Sequence, residues 1–474
     1  MSASPCALNR MLRGCCIVAV VLSSFSFGDS VYGQTAQMTA GVKPPDNAPV
    51  DVSKLINEPQ FANRLRQLVI PVLSVGKASN QQEADNVDMW TVFRAAQLTL
   101  PPTDARDTVE QRRMQIKSRE LLRLSGNAPD QTLHDRINAV LVANLVPVIG
   151  NAQYSMEARY NAMLLLGMLD KVEPDSTQNR EAVPLAAAEP LLIQASQSEA
   201  LPEILRLGAL GGLARHCELQ LPGDNKAAIA AEAVKLLAAK QAPNGYSPNG
   251  FHWARKQAIQ MVIGLATKGA EVNRPEVVKA LYDILADDKQ PLFLRRDAAL
   301  AFGYLDTAVV ASGGIKPADI CKAMTNYTLE VMKAGSPRFD PTAPIDLSKG
   351  EDVFPTPTEE NKLLFAQGVA YYLNCAATGL GGRSTNRGLA KTVNAADPAF
   401  QQVNTLLNTH INPLITALNS PRVNSSGVMN DLASKRGTLE QWFQQNGGAA
   451  GAGPAGAGPG VGAAGALGAP VAPR

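Results

Sequence analysis

Histidine is scarce in this chain, and the four that occur are scattered: His134, His216, His252 and His410. A zinc site needs several His, Cys or carboxylate ligands at short fixed spacings, and none of the four has such a neighbour. His216 ends an apolar helical stretch, where an imidazole facing the helix C-terminus is the ordinary reading. No G-x-S-x-G elbow, H-E-x-x-H or Cys–His signature occurs. A triad built from distant residues leaves no such trace, so their absence lowers the expectation of an enzyme without removing it. "GLGGRSTNRG", residues 379–388, has the glycines of a phosphate cradle. It lacks the P-loop lysine and follows a helix instead of a strand, so a glycine-rich helix exit is expected there. No catalytic residue, cofactor or metal ligand is expected.

Recognition chemistry is concentrated in "NGYSPNGFHWARK". Tyr246, Phe251, His252 and Trp253 gather beside Arg255 and Lys256, and aromatic and arginine side chains dominate interface hot spots. Residues 244–253 read as a loop opening onto a helix. In the competing reading Phe251 and Trp253 fold back to staple that helix, leaving Tyr246 as the exposed contact. Tyr246, Phe251 and Trp253 are the candidate partner-binding residues.

The helix behind this loop is one of a series. Counted from Arg159, the stretch "RYNAMLLLGMLD" places Ala162, Leu166 and Leu169 at +3, +7 and +10, with Gly167 at +8. At 100° per residue the first three fall on one stripe, the buried face of a helix. Arg206 leads Ala209, Leu213 and Ala214, and Arg255 leads Ala258, Val262, Ile263 and Leu265. Arg295 leads Ala298, Phe302, Gly303 and Leu305. The arginines recur at intervals of about 40 to 50 residues, the period of a helical solenoid. Each interval holds a second amphipathic stretch, and Pro and Asn-Gly pairs separate the units. Alanine at +3 lets helix backbones approach, glycine at +8 signals a close contact, and the arginine stands at the edge of the apolar stripe with its head reaching a neighbouring carbonyl or carboxylate.

"RYNAMLLLGMLD" and "RRDAALAFGYLD" resemble the second helix of HEAT repeats, through Asp170 and Asp306. The resemblance implies an all-α fold: a right-handed α-solenoid of HEAT-like helical hairpins with atypical capping helices. On that reading residues 51–132 form an N-terminal helical capping region and 133–306 the repeats. A degenerate repeat with a long Pro-rich loop (336–360) and C-terminal capping helices fills 307–446. The structural repeat positions are Arg159, Ala162, Gly167, Arg206, Ala209, Arg255, Ala258, Arg295, Ala298 and Gly303.

The ends differ from the middle. Arg10 and Arg13 precede "CCIVAVVL" and the small residues of "SSFSFG", the pattern of a secretory signal cut after Gly33. The apolar run is about half a bilayer span, so no integral membrane span is expected in the mature chain. Residues 34–50 read as a flexible linker, and 447–474, rich in Gly, Ala and Pro, as a disordered tail. Cys6, Cys15 and Cys16 would leave with the signal. Cys217, Cys321 and Cys375 remain, an odd number lying in apolar stretches, and spacing alone does not decide whether two of them pair.

Of 474 residues 45% are hydrophobic and 5% aromatic, which suits packed helices better than a β-sandwich. The 44 basic and 42 acidic residues leave a formal charge of +2, with no basic block able to neutralise several phosphates, so nucleic acid is not an expected partner. The expected function is a secreted or periplasmic, non-enzymatic helical-repeat scaffold for protein–protein interaction. The alternative is an extracellular enzyme, or an accessory subunit of one, with a helical-repeat body.

Overall fold

The computed structural model describes residues 59–101, 107–219, 225–268, 272, 274–335, 362–384, 387–392, 398–419 and 425–447. The expected signal, linker and Pro-rich loop, the tail from 448 and the first residues of the N-terminal cap (51–58) lie outside the described residues.

The described chain is all-α apart from one two-stranded ribbon. It begins with α1 (Pro59–Val75) and α2 (Gln81–Gln97), which pack together, and α2 lies against α5 (Thr132–Gly150). Asn80 caps α2 by accepting from the Glu83 amide, and a Thr108–Gln111 capping box starts α3 (Val109–Gln115). The chain continues through a π-turn, Ile116–Glu120, into α4 (Leu122–Gly126).

Helix pairs follow. α5 pairs with α6 (Met156–Met168), and α7 (Glu189–Gln197) with α8 (Glu203–Glu218). α9 (Lys226–Ala238) pairs with α10 (Pro248–Lys268), and α11 (Pro275–Ala286) with α12 (Leu292–Phe302). A short helix, α13 (Thr307–Ser312), comes before the fifth pair, α14 (Pro317–Gly335) and α15 (Lys362–Gly381). Second helices pack in sequence, α6 on α8, α8 on α10, α10 on α12 and α12 on α15; first helices do the same from α9 to α11 to α14. α16 (Leu389–Thr392), α17 (Pro398–Thr405), a π-turn at Leu406–Ile411, α18 (Asn412–Leu418) and α19 (Ser425–Gly447) close the end, with α18 on α15 and α19 on α14. Among the described residues no helix is long and apolar enough to cross a membrane.

The second pair departs from the expected pattern. The amphipathic stretch "VPLAAAEPLLIQAS" contributes only the nine-residue helix α7. Before it the chain runs through β1 (Asp170–Val172) and β2 (Val183–Pro184), antiparallel with Asp170 opposite Pro184, and then a 3₁₀ turn at Ala186–Ala188. Pro184 supplies no amide to a helix and Pro190 is acceptable only in its first turn, so the helix starts late.

Ala162, Ala209, Ala258 and Ala298 have no exposed surface, which places +3 at the centre of the packing. Glycine marks three crossings of second helices. A Cβ placed on Gly167 would lie 2.7 Å from the Gly212 Cα, one on Gly264 2.5 Å from the Cys217 carbonyl, and one on Gly303 2.3 Å from the Thr378 carbonyl oxygen. Gly303 itself terminates α12 instead of lying within it, because α15 approaches at that point.

The arginine heads reach neighbouring carbonyls and, for Arg295, a carboxylate, but they lie deeper than the edge of the stripe. Expected at the edge of the stripe, they are buried, with 6%, 2%, 7% and 1% of Arg159, Arg206, Arg255 and Arg295 exposed. What permits this burial is the end of the preceding helix, whose last carbonyls have no intrahelical partner. Arg159 donates to the Ile149 carbonyl (2.9 Å), Arg255 to Leu237 (3.4 Å) and Arg295 to Leu285 (3.0 Å), in each case the penultimate residue of the first helix of its own pair. A cation there also meets the negative end of the helix dipole. Three of the arginines reach the next unit as well: Arg206 to the carbonyls of Asn244 and Gly245, Arg255 to Gln290 (3.1 Å) and Arg295 to Glu330. Only the last of these is an acid–arginine pair.

Candidate functional site

The aromatic segment is built on α9 and α10. α10 begins at Pro248, so Phe251 and Trp253 are helical and only Tyr246 belongs to the connector. Two residues of α8 shape that connector. Arg206 donates to the Asn244 and Gly245 carbonyls, and Glu203 accepts from the Ser247 amide (2.9 Å) and hydroxyl (3.0 Å). Gly245 has φ +75°, the left-handed region that favours glycine.

The expected division of labour is reversed. Tyr246, expected as the exposed contact, is half-buried under the Arg206 guanidinium, whose carbon lies 4.0 Å from the ring centroid. Burial pushes its hydroxyl up to about 12. Phe251 is buried as a staple would be, with the Arg255 guanidinium 5.4 Å from its ring. Trp253, expected to be buried with it, is 37% exposed. Its ring stacks on Phe293 at the start of α12, at 5.4 Å and 25°, and the Lys256 ammonium lies 4.4 Å from its centroid. Of the three, Trp253 is the one that keeps more than a third of its surface exposed.

A second constellation had no local signal. Lys117, in the π-turn, donates to Asp170 (2.7 Å) and Glu173 (2.6 Å), both fully or nearly buried. Arg215 of α8 forks onto both Asp170 oxygens (2.9 and 2.8 Å). His134 Nε2 and Asn138 Nδ2 donate to the Asp170 carbonyl at 2.9 and 2.8 Å, while His134 Nδ1 stands 2.9 Å from Ser125 Oγ. Burial pushes the Glu173 carboxyl up against the pull of Lys117, and pushes the His134 imidazole down, so it is held neutral. Burial, perturbed acids and a Ser–His contact are what a catalytic site is assembled from. Here, however, Ser125 and His134 are fully buried, Ser125 also donates to the Leu121 carbonyl (2.8 Å), and two cations face two carboxylates. The cluster is closed on itself and joins the N-terminal cap, through Lys117 and α5, to β1 and α8.

The glycine-rich stretch after α15 is a connector. Gly382 and Gly388 have φ of +79° and +92°, the Arg383 amide donates to the Gly303 carbonyl, and Arg387 donates to the Ala266 carbonyl (2.7 Å) and faces Asp306 (3.6 Å). Cys217, Cys321 and Cys375 are buried and not in disulfides; burial drives Cys217 and Cys321 upward, the latter to about 12, so neither is poised as a thiolate. Among the described residues no group of three His, Cys, Asp or Glu side chains is arranged to hold a metal. No family model, no curated protein and no solved structure matches the chain.

Proposed function

We propose that the protein is a secreted, non-enzymatic scaffold, a right-handed α-solenoid of HEAT-like hairpins that presents a helical surface to a protein partner. The observation that carries this reading is the placement of Trp253. The helix around it is locked by Phe251, Arg255 and the Arg206-held connector, yet its indole projects into solvent on a stack with Phe293. A large aromatic exposed on a rigid element is the composition of an interface anchor. Stacked helix pairs supply the extended surface on which repeat proteins bind, and this step from architecture to task is by analogy. The one constellation with catalytic ingredients, the Lys117 cluster, is closed by its own side chains, which favours a binding role over the enzyme alternative.

The test is affinity capture with the full chain as bait, from the medium or cell envelope of the source organism, alongside a Trp253→Ala bait. A protein retained by the parent and lost with the variant supports the scaffold. A bait that retains nothing above background, while turning over a substrate pool, overturns it.

A further inference from the structure

We propose that Asn244 is a site of spontaneous covalent modification: its side-chain amide closes on the Gly245 nitrogen and hydrolyses to aspartate or isoaspartate, promoted by the Arg206 guanidinium. The site does not depend on the scaffold reading. Asparagine followed by glycine suits this closure, because no Cβ on the second residue obstructs its nitrogen. The stretch "PNGYSPNGF" holds two such pairs, Asn244–Gly245 and Asn249–Gly250. A third, Asn446–Gly447, ends α19.

The fold separates the two neighbours. Asn244 and Asn249 are both exposed, so access to water does not distinguish them. Asn249 lies in the first turn of α10, where the Gly250 amide donates to the Ser247 hydroxyl (3.0 Å) and the Ser247 carbonyl accepts from Phe251 (2.8 Å). The Gly250 nitrogen is therefore committed to capping the helix. Gly245 lies in the connector with φ +75°, and its amide donates to no group among the described residues. That nitrogen is free to react.

Arg206 favours the first step. The Gly245 N–H must lose its proton to hydroxide, and the charge left behind is shared by resonance with the Asn244 carbonyl oxygen. Arg206 donates to that oxygen (3.3 Å). A guanidinium stays protonated, and a donor already aimed at the atom where charge develops stabilises it. The nitrogen then bonds to Asn244 Cγ, and Nδ2 leaves as ammonia with a proton from water, which regenerates the hydroxide. Water opens the resulting succinimide at either carbonyl. The balance is one water consumed and one ammonia released, with no change of oxidation state. Opening at the former backbone carbonyl gives isoaspartate, whose new carboxylate takes the place of the oxygen that Arg206 held. The main chain gains a methylene there, which draws the Gly245 carbonyl away from its own bond to Arg206 and loosens the connector at Tyr246.

The experiment incubates the full chain for several weeks at physiological pH and temperature and follows both asparagines by peptide mass mapping. An isoaspartyl O-methyltransferase marks the isomer, and a synthetic peptide of residues 241–253 is the unfolded reference. In the folded chain Asn244 should convert about tenfold or more ahead of Asn249, which reacts only from molecules whose first turn of α10 has frayed. In the peptide the two should convert together. Asn244→Gln should remove the methyl-accepting signal from this segment. Arg206→Met should slow conversion at 244 several-fold, with Arg206→Lys between it and the parent, and an intact Asn249 reports that the segment stays folded. An unconverted Asn244, or equal rates at the two positions in the folded parent, would overturn the proposal whatever the variants do. Conversion at 244 as fast or faster in Arg206→Met, with Asn249 intact, would also overturn it, since the arginine would then restrain the connector instead of promoting its chemistry.

Discussion

Gly167 of α6 and Gly212 of α8 meet backbone to backbone, so close that a Cβ on the first would stand 2.7 Å from the Cα of the second and a Cβ on Gly212 3.0 Å from the Gly167 Cα. Leu192 closes the same gap from α7, 3.1 Å from that position. The neighbouring Gly211 has nothing within 4 Å of its own Cβ position. Two adjacent glycines of one helix therefore respond oppositely to alanine. Gly212→Ala should overpack the crossing and lower stability by roughly 1–3 kcal/mol. Gly211→Ala should raise it by up to about 1 kcal/mol, the ordinary helix preference of alanine. Denaturant melts of the two variants test this, and equal effects of the same sign would mean the helices do not cross there.

Arg295 carries out two tasks with one guanidinium, capping the Leu285 carbonyl and pairing with Glu330 of the next unit. Arg295→Met keeps the stem but strands both acceptors, and should cost about 3 kcal/mol. Arg295→Lys should recover little, because one ammonium does not span a helix end and a carboxylate in two directions. Hydrogen exchange of α14 amides gives the sharper readout. They should open earlier in both variants, whereas exchange limited to α11 would assign the arginine to its own pair alone.

Much of this architecture was legible from spacing, because helical period and repeat length are local quantities. Ala258 and Ala298 are buried where the offset from the arginine placed them. The same phase also held an unread signal. Once α10 starts at Pro248, Phe251 falls on the stripe of Ala258 and Leu265, while Trp253 falls roughly 150° away from it, facing out. Treating residues 244–253 as a loop concealed that. The Lys117 cluster was not legible by any such reading. Its members stand 53, 56 and 45 residues apart along the chain, and only the folded β1 strand brings Asp170 between Lys117 and Arg215. The depth of the arginines was hidden for a related reason, since it depends on where a preceding helix ends.

The Lys117 cluster predicts a pH dependence with a definite sign. Burial holds the Glu173 carboxyl above its ordinary value, so the folded protein binds that proton more tightly than the unfolded chain. Its contribution to stability is then greatest below the ordinary carboxylate value and declines as pH rises through the folded one. Glu173→Gln removes this dependence while keeping an acceptor for Lys117. Melts of parent and variant from about pH 4 to pH 8, a window opening near the ordinary carboxylate value, should show their difference moving in favour of the variant as pH rises. Lys117→Met, which leaves two carboxylates buried, should cost about 3–5 kcal/mol at neutral pH and less in acid. A difference that stays flat, or moves the other way, would place Glu173 in a hydrated site.

Trp253 and Tyr246 separate binding from folding. Trp253 loses only a stack with Phe293 and a contact with Lys256 when truncated, and more than a third of it already faces water. Trp253→Ala should therefore lower stability by about 1 kcal/mol, the scale of one aromatic pair, and abolish most partner capture. Tyr246 lies under Arg206, which also holds the connector through Asn244 and Gly245. Tyr246→Ala should cost about 2 kcal/mol, below the range for a fully buried aromatic because this one is half-buried. Its effect on capture should follow only from that loss, and should disappear when the assay is run well below the variant's melting temperature. Tyr246→Phe is the discriminating control. It keeps the ring on Arg206 and should leave both observables near the parent values, whereas a large loss of binding on removing the hydroxyl alone would return the contact to Tyr246.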